Sequence, residues 1–451
     1  RGEMAKAKGK SRDQVEKILA KLKRDGIQHV RFELPDMHGS ARSKQVPIEF
    51  FEQFARGGVN MYGGVIAVDS ASHVVPGTRY NEEVNYRDQT LIPDFNSLMT
   101  VPWLENTARV ICNTEWSSGD PLRAAPRHLM GEMLKRLDKL GLKAVMSHEF
   151  EFYMLDRETR QPFFDGIHIF NNLRNEQLPI IRQVVDYLRT AGIPMLTANA
   201  EYAPSQYELV YSHAEGMAGA DNGYPFKNSV KEIVQQAGMM ATFMSKPFAG
   251  SAGSGCHYHV SLLRKKGGQN VFIDNKKPDQ MSDTMRHFVQ GLIDHGGACM
   301  ALFNPTPNCY RRLRPHTFAP SNISWGAEDR SAMVRIKSPG SKAMHVEMRA
   351  AASLSNPYLS AAGTLACGLL GMQEKRKLGR QSDGPSEEDS SLPPFPSSLD
   401  QALDMLEADK ALCEMLGEEF VDIFTKMKRY ELSRFHDHVS QWESDEYLEL
   451  Y

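Results

Sequence analysis

The sequence predicts an α+β protein in two parts, a small N-terminal α+β unit over residues 1–119 and a large mixed remainder over residues 120–451. Three observations carry that prediction. A chain of 451 residues is long enough for one large catalytic domain and a smaller one. Short strand patterns alternate with amphipathic helical patterns through its middle, and helical patterns outweigh strands in its C-terminal half. A Ser-Ser-Gly-Asp-Pro stretch at residues 117–121 punctuates the chain between the two parts.

Taken in order, residues 12–24 carry apolar side chains at helical spacing. Residues 28–47 alternate polar and apolar around Asp36-Met37-His38-Gly39, which predicts a hairpin. Residues 125–140 and 176–191 read as amphipathic helices leading into strands such as 142–156 and 206–212. Helices are further predicted over 222–246, 279–302, 356–374 and 399–429. The most apolar long stretch, Tyr358 to Met372, is interrupted by Ser360, Gly363, Thr364 and Gly368 and is too short to span a membrane, so it predicts a buried helix. Residues 376–396 are polar and proline-rich with little to bury, the pattern of a mobile surface loop. Arg1 to Glu3 precede Met4 and a lysine-rich start and read as a cloning remnant rather than a targeting signal.

Composition narrows the function. Charged residues make up 24% of the chain and the formal net charge is −3, so neither a nucleic-acid footprint nor an acidic tail is indicated, and the expected partner is a small molecule. Cys112, Cys256, Cys299, Cys309, Cys367 and Cys413 are scattered without close pairing, which disfavours a zinc site or a disulfide framework and fits a reducing, cytoplasmic compartment.

Four clusters could carry chemistry. Glu149 and Glu151, two apart in His148-Glu149-Phe150-Glu151-Phe152, point to one face of a strand, where paired carboxylates want cations. Glu201 and Glu208 bracket Pro204 and Ser205, a turn that can fold both carboxylates toward one point. Gly250 to Ser261 begins with a glycine-rich bend and ends with His257, His259 and Ser261 on one strand face. It lacks the Gly-Lys-Ser/Thr ending of a phosphate-cradling loop and is no dinucleotide fingerprint either. Arg311, Arg312, Arg314, Arg330, Arg335, Lys342 and Arg349, with Glu347, form a basic set suited to phosphates and carboxylates. Each cluster has a bland reading as a solvated face, a core histidine or a basic surface patch. Together, carboxylates and imidazoles for divalent metal with arginines for anions describe an ATP-using site.

The order of these clusters resembles the glutamine synthetase family. The stretches that carry the resemblance are HEFEFYML, EYAPSQYEL, GSGCHYHVS, NPTPNCYRRL, EDRSAMVRI, VEMRAAASLSNPYL and HVSQWESDEYLELY. The resemblance implies a β-grasp N-terminal domain and a large α/β catalytic domain whose antiparallel sheet forms a barrel-like active site between subunits. It implies a homo-oligomer, a dodecamer of two stacked hexamers, with no nucleic-acid or membrane partner. One metal ion, magnesium or manganese, is implied on Glu151, Glu201 and Glu208, and a second on Glu149, His257 and Glu347. His259, Ser261, Arg335 and Lys342 would lie by ATP, and Gly253, Arg312 and Arg349 around L-glutamate. Arg330 would face the transferred phosphate and, with Glu151 and Arg349, act at the reacting groups. The implied chemistry is ATP phosphorylation of the glutamate γ-carboxylate, then attack of a neutral amine on the acyl phosphate.

The sequence departs from the family's ammonia-using members where ammonium would bind. Phe318 stands where those members carry an acid six positions after the arginine matching Arg312, and Tyr62 stands for an aspartate of the N-terminal domain. Without that pair an ammonium ion is desolvated with little compensation, so an arylamine or small alkylamine that can meet Tyr62 and Phe318 is the expected substrate. The alternatives are an ordinary glutamine synthetase, with an acid such as Asp69 replacing the missing ones, and a non-catalytic relative of the lens-protein kind. His345 replaces a nucleotide-side arginine and Ala252 an asparagine beside glutamate. No tyrosine lies between Tyr358 and Tyr430, so the adenylylation switch of bacterial ammonia-using members is expected to be absent.

Overall fold

The computed structural model describes residues 2–166, 169–382 and 384–451. Arg1, the first of the residues read as a cloning remnant, and Asp383, inside the 376–396 segment, lie outside the described residues.

Helix α1 (Gly2–Arg24) leads into the expected hairpin, β1 (His29–Pro35) and β2 (Ala41–Pro47), paired from His29 with Pro47 to Pro35 with Ala41. Asp36 builds the turn: Oδ1 accepts from the His38 and Ser40 amides and Oδ2 from Arg42 Nε. Then come α2 (Phe51–Gly57), β3 (Val59–Tyr62), β4 (Asp88–Pro93), β5 (Met99–Thr100) and β6 (Thr107–Trp116). The sheet runs β2-β1-β6-β4-β3, with β5 also on β6, and β1 pairs with β6 in parallel. A hairpin whose first strand lies parallel to a long central strand is the β-grasp arrangement that the resemblance implies.

The larger part begins with α3 (Pro126–Lys139), β7 (Leu142–Asp156), α4 (Asn172–Asn175) and α5 (Ile180–Ala191). Next are β8 (Met195–Ala200), β9 (Gln206–Tyr211), β10 (Ala214–Glu215), α6 (Met217–Asp221), α7 (Gly223–Gln236), β11 (Met239–Thr242) and β12 (Cys256–Arg264). They are followed by α8 (Asp283–Phe303), β13 (Trp325–Ala327), β14 (Val334–Lys337), β15 (His345–Met348) and α9 (Pro357–Glu374). The chain ends in α10 (Leu399–Ala408), α11 (Lys410–Leu416), α12 (Glu418–His436) and α13 (Gln441–Tyr447). The second sheet runs β13-β14-β15-β12-β7-β9-β8, with β10 and β11 also on β7.

Three expectations differ from the structure. The helix expected over 222–246 stops at Gln236, because Gly238 turns the chain at φ +74° and residues 239–242 pair with β7 instead. The helix expected over 399–429 is three helices, broken where the Asp409 side chain caps Leu412 N and where Gly417 adopts φ +95°. The 376–396 segment does bury groups. Phe395 and Ser386 are inside, Trp325 Nε1 donates to Gly379 O at 3.1 Å, and Asn322 Nδ2 donates to Ser386 O at 2.7 Å.

The apolar stretch Tyr358 to Met372 forms most of α9, buried against α8. The two helices touch backbone to backbone at Gly291 and Gly371, where a Cβ on Gly371 would lie 2.6 Å from Gly291 Cα. Neither backbone can give way, so Gly371→Val overpacks the contact. We expect a loss of about 3 kcal/mol, read as a lowered denaturant midpoint with unchanged slope.

Candidate active site

The site is set by strand register. In antiparallel pairs, residues directly opposite share a face, and β7 pairs on both sides. Glu151 faces Glu208 of β9, Glu149 faces His257 of β12, His259 of β12 faces Glu347 of β15, and Glu347 faces Arg335 of β14. Period-two alternation thus places five of the six predicted metal-ligating side chains on one face of one sheet, and Glu201 joins from the turn before β9.

Two cavities meet this face. One, of about 1000 Å³, is bordered by Glu149, Glu151, Glu201, Glu208, His257, Glu347, Gly253, Arg312, Arg330, Arg335, Arg349 and Phe318. The other, of about 1160 Å³, is bordered by His259, Ser261, Lys342 and His345. Of the residues predicted to meet nucleotide, Arg335 alone opens to the first cavity rather than the second.

Within the cluster, His257 Nδ1 lies 2.9 Å from Glu149 Oε1 and 3.7 Å from Glu347 Oε1. Arg349 Nη1 donates to Glu347 Oε1 at 2.5 Å, and Arg335 Nη1 to Glu347 Oε2 at 3.2 Å. Glu151 Oε2 accepts from the Gly255 amide at 2.7 Å. Ligand atoms gather within reach of a common ion in two groups, Glu149 with Glu208 and His257, and Glu149 with His259 and Glu347. The grouping differs from the predicted triads because the Glu151 carboxylate is turned to Gly255 and that of Glu201 to Asn199 Nδ2, at 3.0 Å.

Electrostatics divide the carboxylates. Burial works against the charge of Glu347, but Arg349 and His257 outweigh it and bring its pKa to about 2. Glu149 is held well below the usual range, as its two histidine neighbours outweigh burial. Glu208 has no such partner: burial, then the charges of Glu149, Glu151 and Glu201, push it up to about 10, and burial with Glu151 raises Glu201 to about 7. Carboxylates crowded without a counter-charge, beside imidazoles, are a donor set of hard oxygens and nitrogen that fits a divalent cation such as magnesium or manganese.

The arginine-bearing half is braced from behind. Gly253 must be glycine, since a Cβ there would meet Arg312 Cγ at 2.7 Å and Ser245 O at 2.9 Å. Arg312 is buried beneath it and donates to the Ala350 and Ala351 carbonyls, both at 3.3 Å. Lys227, fully buried on α7, donates to Ser353 O at 2.8 Å and Ser355 O at 2.9 Å, and Ser353 Oγ in turn donates to Glu151 O. Arg330 is exposed at the cleft, and its carbonyl accepts from Arg349 Nε.

The two aromatics predicted to meet the amine are not together within one chain. Tyr62 ends β3, hydrogen-bonds Asn81 and lies by the Tyr86 ring, and it borders neither cavity. Phe318, 69% exposed, borders the first cavity and instead meets Tyr202, with ring centroids 4.8 Å apart. Tyr202, Ile169 and Phe170 on the same rim were not singled out from the sequence. The position of Tyr202, directly after Glu201 in a turn, was the available signal. Asp69, the alternative acid, is fully buried and engaged by Arg434 and by the Ala71 and His73 amides, so it is not free for an amine.

The family model described as glutamine synthetase, catalytic domain, matches residues 123–447. The chain belongs to the glutamine synthetase family. It is 30% identical over 455 residues to the glutamate–isopropylamine ligase of Pseudomonas sp, covering 98% of this chain and 99% of that one. It is 32% identical over 458 residues to the glutamine synthetase of Thermus thermophilus, covering 96% and 98%. Its fold is similar to that of the GmaS/ADP complex, with a TM-score of 0.85 at 27% identity over 96% of this chain and 99% of that one. The protein is an ATP-dependent carbon–nitrogen ligase of this family, whose catalytic domain typically uses ATP and divalent metal. No helix among the described residues is long and apolar enough to cross a membrane.

The raised carboxylates make a pH prediction. Glu201 and Glu208 bind protons more tightly folded than unfolded, so the stability they contribute is full below the unfolded value of 4.5 and is lost as pH rises through about 7 and about 10. Metal-free protein should lose melting temperature between about pH 5 and about pH 9, and saturating Mn²⁺ should suppress that loss. Scans across this range with and without metal check it; an unchanged slope on adding metal contradicts the assignment.

Proposed function

We propose that the protein joins the γ-carboxylate of L-glutamate to an organic amine, an arylamine or small alkylamine rather than ammonia, through a γ-glutamyl phosphate. The observation that carries this reading is Phe318, which stands with Tyr202 at the cleft where ammonia-using members carry an acid. The identity to a glutamate–isopropylamine ligase supports it.

In this reading Arg312, Arg349 and the Gly253 backbone hold glutamate, because guanidinium forks match carboxylates and the absent Cβ lets the backbone approach. Arg330 meets the transferring phosphoryl group. His259, Ser261 and Lys342 hold the nucleotide in the second cavity, and Arg335 contributes from the first. Glu149, Glu151, Glu201, Glu208, His257 and Glu347 hold divalent ions, which would supply neutralising charge to the phosphates. The amine enters over the aromatic rim, already neutral or giving up its proton before attack. Tyr62 lies outside its own chain's cleft, so its part in an amine pocket requires a neighbouring subunit, and we place the protein in a cytoplasmic dodecamer of two stacked hexamers with the 1–119 part of one chain beside the 120–451 part of the next.

The test is ATP- and glutamate-dependent phosphate release with ammonia, methylamine, isopropylamine, ethanolamine, putrescine and aniline. An alkyl- or arylamine is expected to exceed ammonia in kcat/KM by at least about tenfold, or ~1.4 kcal/mol. Ammonia as the best substrate sinks the proposal. Phe318→Glu should raise kcat/KM for ammonia about tenfold and lower it by a similar factor for an aromatic amine; equal rates for both proteins would remove Phe318 from the amine site.

A further inference from the structure

Outside the metal cluster, the carboxylates that border the first cavity are Glu328, Asp329 and Glu387. Glu328 is engaged on both oxygens, Oε2 by Arg335 Nη2 at 2.6 Å and Oε1 by the Ser338 amide at 2.7 Å. So is Asp329, with Oδ1 accepting from the Ser331 amide at 2.8 Å and hydroxyl at 2.7 Å, and Oδ2 from the Ser386 amide at 3.2 Å. Glu387 differs. Its Oε2 accepts from the His316 amide at 2.8 Å, but its Oε1 accepts no hydrogen bond among the described residues, and His316 Nδ1 stands 3.8 Å from it.

The backbone places Glu387 between the two partners of the proposed reaction. Ser386, next to it, donates its amide to Ser331 Oγ at 2.8 Å as well as to Asp329, and these two residues flank Arg330, the residue that would meet the phosphoryl group. On the other side, the His316 amide that Glu387 binds lies two residues before Phe318 of the aromatic rim. Glu387 thus ties the turn that carries Arg330 to the loop that carries Phe318. Its side chain is only 18% exposed, whereas neighbouring Glu388 is exposed and borders neither cavity.

A half-buried carboxylate oxygen without a donor, beside a rim of apolar rings, suits a cation that carries hydrocarbon. An alkylammonium ion meets both, its charge at Glu387 and its chain at Phe318 and Tyr202. An ammonium ion would meet the carboxylate but leave the rings uncovered, and a neutral arylamine would cover the rings but leave the carboxylate unpaired.

We propose that the amine is an alkylamine bound as its ammonium ion, and that Glu387 is the catalytic residue that holds this ion and takes its proton. Glu387 Oε1 accepts one N–H proton, which frees the nitrogen lone pair. That pair forms the C–N bond at the γ-carbonyl carbon, the bond from this carbon to the phosphate oxygen breaks, and phosphate leaves with the electrons. The departing phosphate takes a second proton from nitrogen, giving the neutral amide, and Glu387 releases its own proton to solvent. The inference rests on the proposed glutamate–amine ligation and narrows its substrate to the alkylamine.

Glu387→Gln tests it, since the amide oxygen can still accept from the His316 N–H while the negative charge and the proton acceptor are gone. Ethylamine, cationic near neutral pH, is compared with 2,2,2-trifluoroethylamine, whose fluorines leave it largely neutral, in amine-dependent phosphate release by the full-length protein. The variant should lose about a hundredfold in kcat/KM with ethylamine, and its loss with trifluoroethylamine should be smaller by at least about tenfold. A loss of equal size with both, or with neither, overturns the role of Glu387 and leaves amine ligation standing. Thermal melting monitors the fold of the variant, and the parent protein supplies an independent reading. Tetramethylammonium, a cation with no proton to give, should inhibit ethylamine turnover at least about tenfold more strongly than neutral tert-butanol. Equal inhibition, or better use of aniline than of ethylamine, overturns the alkylammonium site while amine ligation stands. Ammonia as the best amine of the parent overturns the proposed function and the inference together.

Discussion

The site depends on one constraint, the register of β7 against its two neighbours. Strand side chains repeat every two residues, so a slip of one position between β7 and either partner would send Glu149 and Glu151 to the opposite face from His257 and Glu208. The register is pinned from the other face, where Phe150 and Phe152 are fully buried and Phe150 stacks on Phe226 and on His148. The apolar residues between the glutamates are therefore what holds the glutamates in place. This is why an acidic pair survives in the middle of a core strand: the same alternation that exposes the carboxylates to the cleft buries the rings behind them.

Given that register, electrostatics follow from which neighbours each carboxylate has. Glu347 lies between two arginines and Glu149 between two histidines, so both stay ionised in the folded chain. Glu208 and Glu201 sit across from other carboxylates and have no cationic partner of comparable weight. The cluster is consequently asymmetric, with one half neutralised by the protein and the other half left for something the protein binds. A buried set of like charges is tolerated when a ligand supplies the missing charge, so this asymmetry is a more specific sign of a metal centre than the number of acids.

Much of this was legible in the sequence because it is local. Glu149 with Glu151, and His257 with His259, could be placed on common faces by alternation alone, and the hairpin around Asp36 by its turn chemistry. What alternation cannot give is which strands become neighbours. The grouping of ligands differed from the triads expected because the Gly255 amide, about a hundred residues away in sequence, captures Glu151. The 376–396 segment looked free because its composition is polar, yet Asn322 and Trp325 bind its backbone, and Gly384, Pro385 and Glu387 border the cleft. Tyr62 and Phe318 were paired on chemistry, and distance within the chain separates them. Tyr202, adjacent to Glu201, was visible in the sequence but had no periodic pattern to mark it.

The aromatic rim bears on substrate through backbone strain as well as surface. Phe170 and Phe318 both adopt left-handed φ, +58° and +59°, a conformation that costs a bulky residue about 1–2 kcal/mol. Glycine or asparagine would sit there at lower cost, and a loop selected only for its own stability would carry one of them. Instead both positions hold phenylalanine, Phe318 69% and Phe170 62% exposed in the chain and each bordering the cavity that contains Arg312 and the carboxylate cluster. Exposure of this kind is unfavourable in water and strain of this kind is unfavourable in the loop, so neither supports folding of the isolated chain. An apolar group that covers the rings, whether the hydrocarbon part of an amine or a neighbouring subunit that closes over them, recovers the cost of exposure and offsets the strain. An ammonium ion offers no surface to bury and would lose its water to rings that return little. Of the two functions that glutamate activation can serve in this family, the rim therefore fits amine ligation better than ammonia capture.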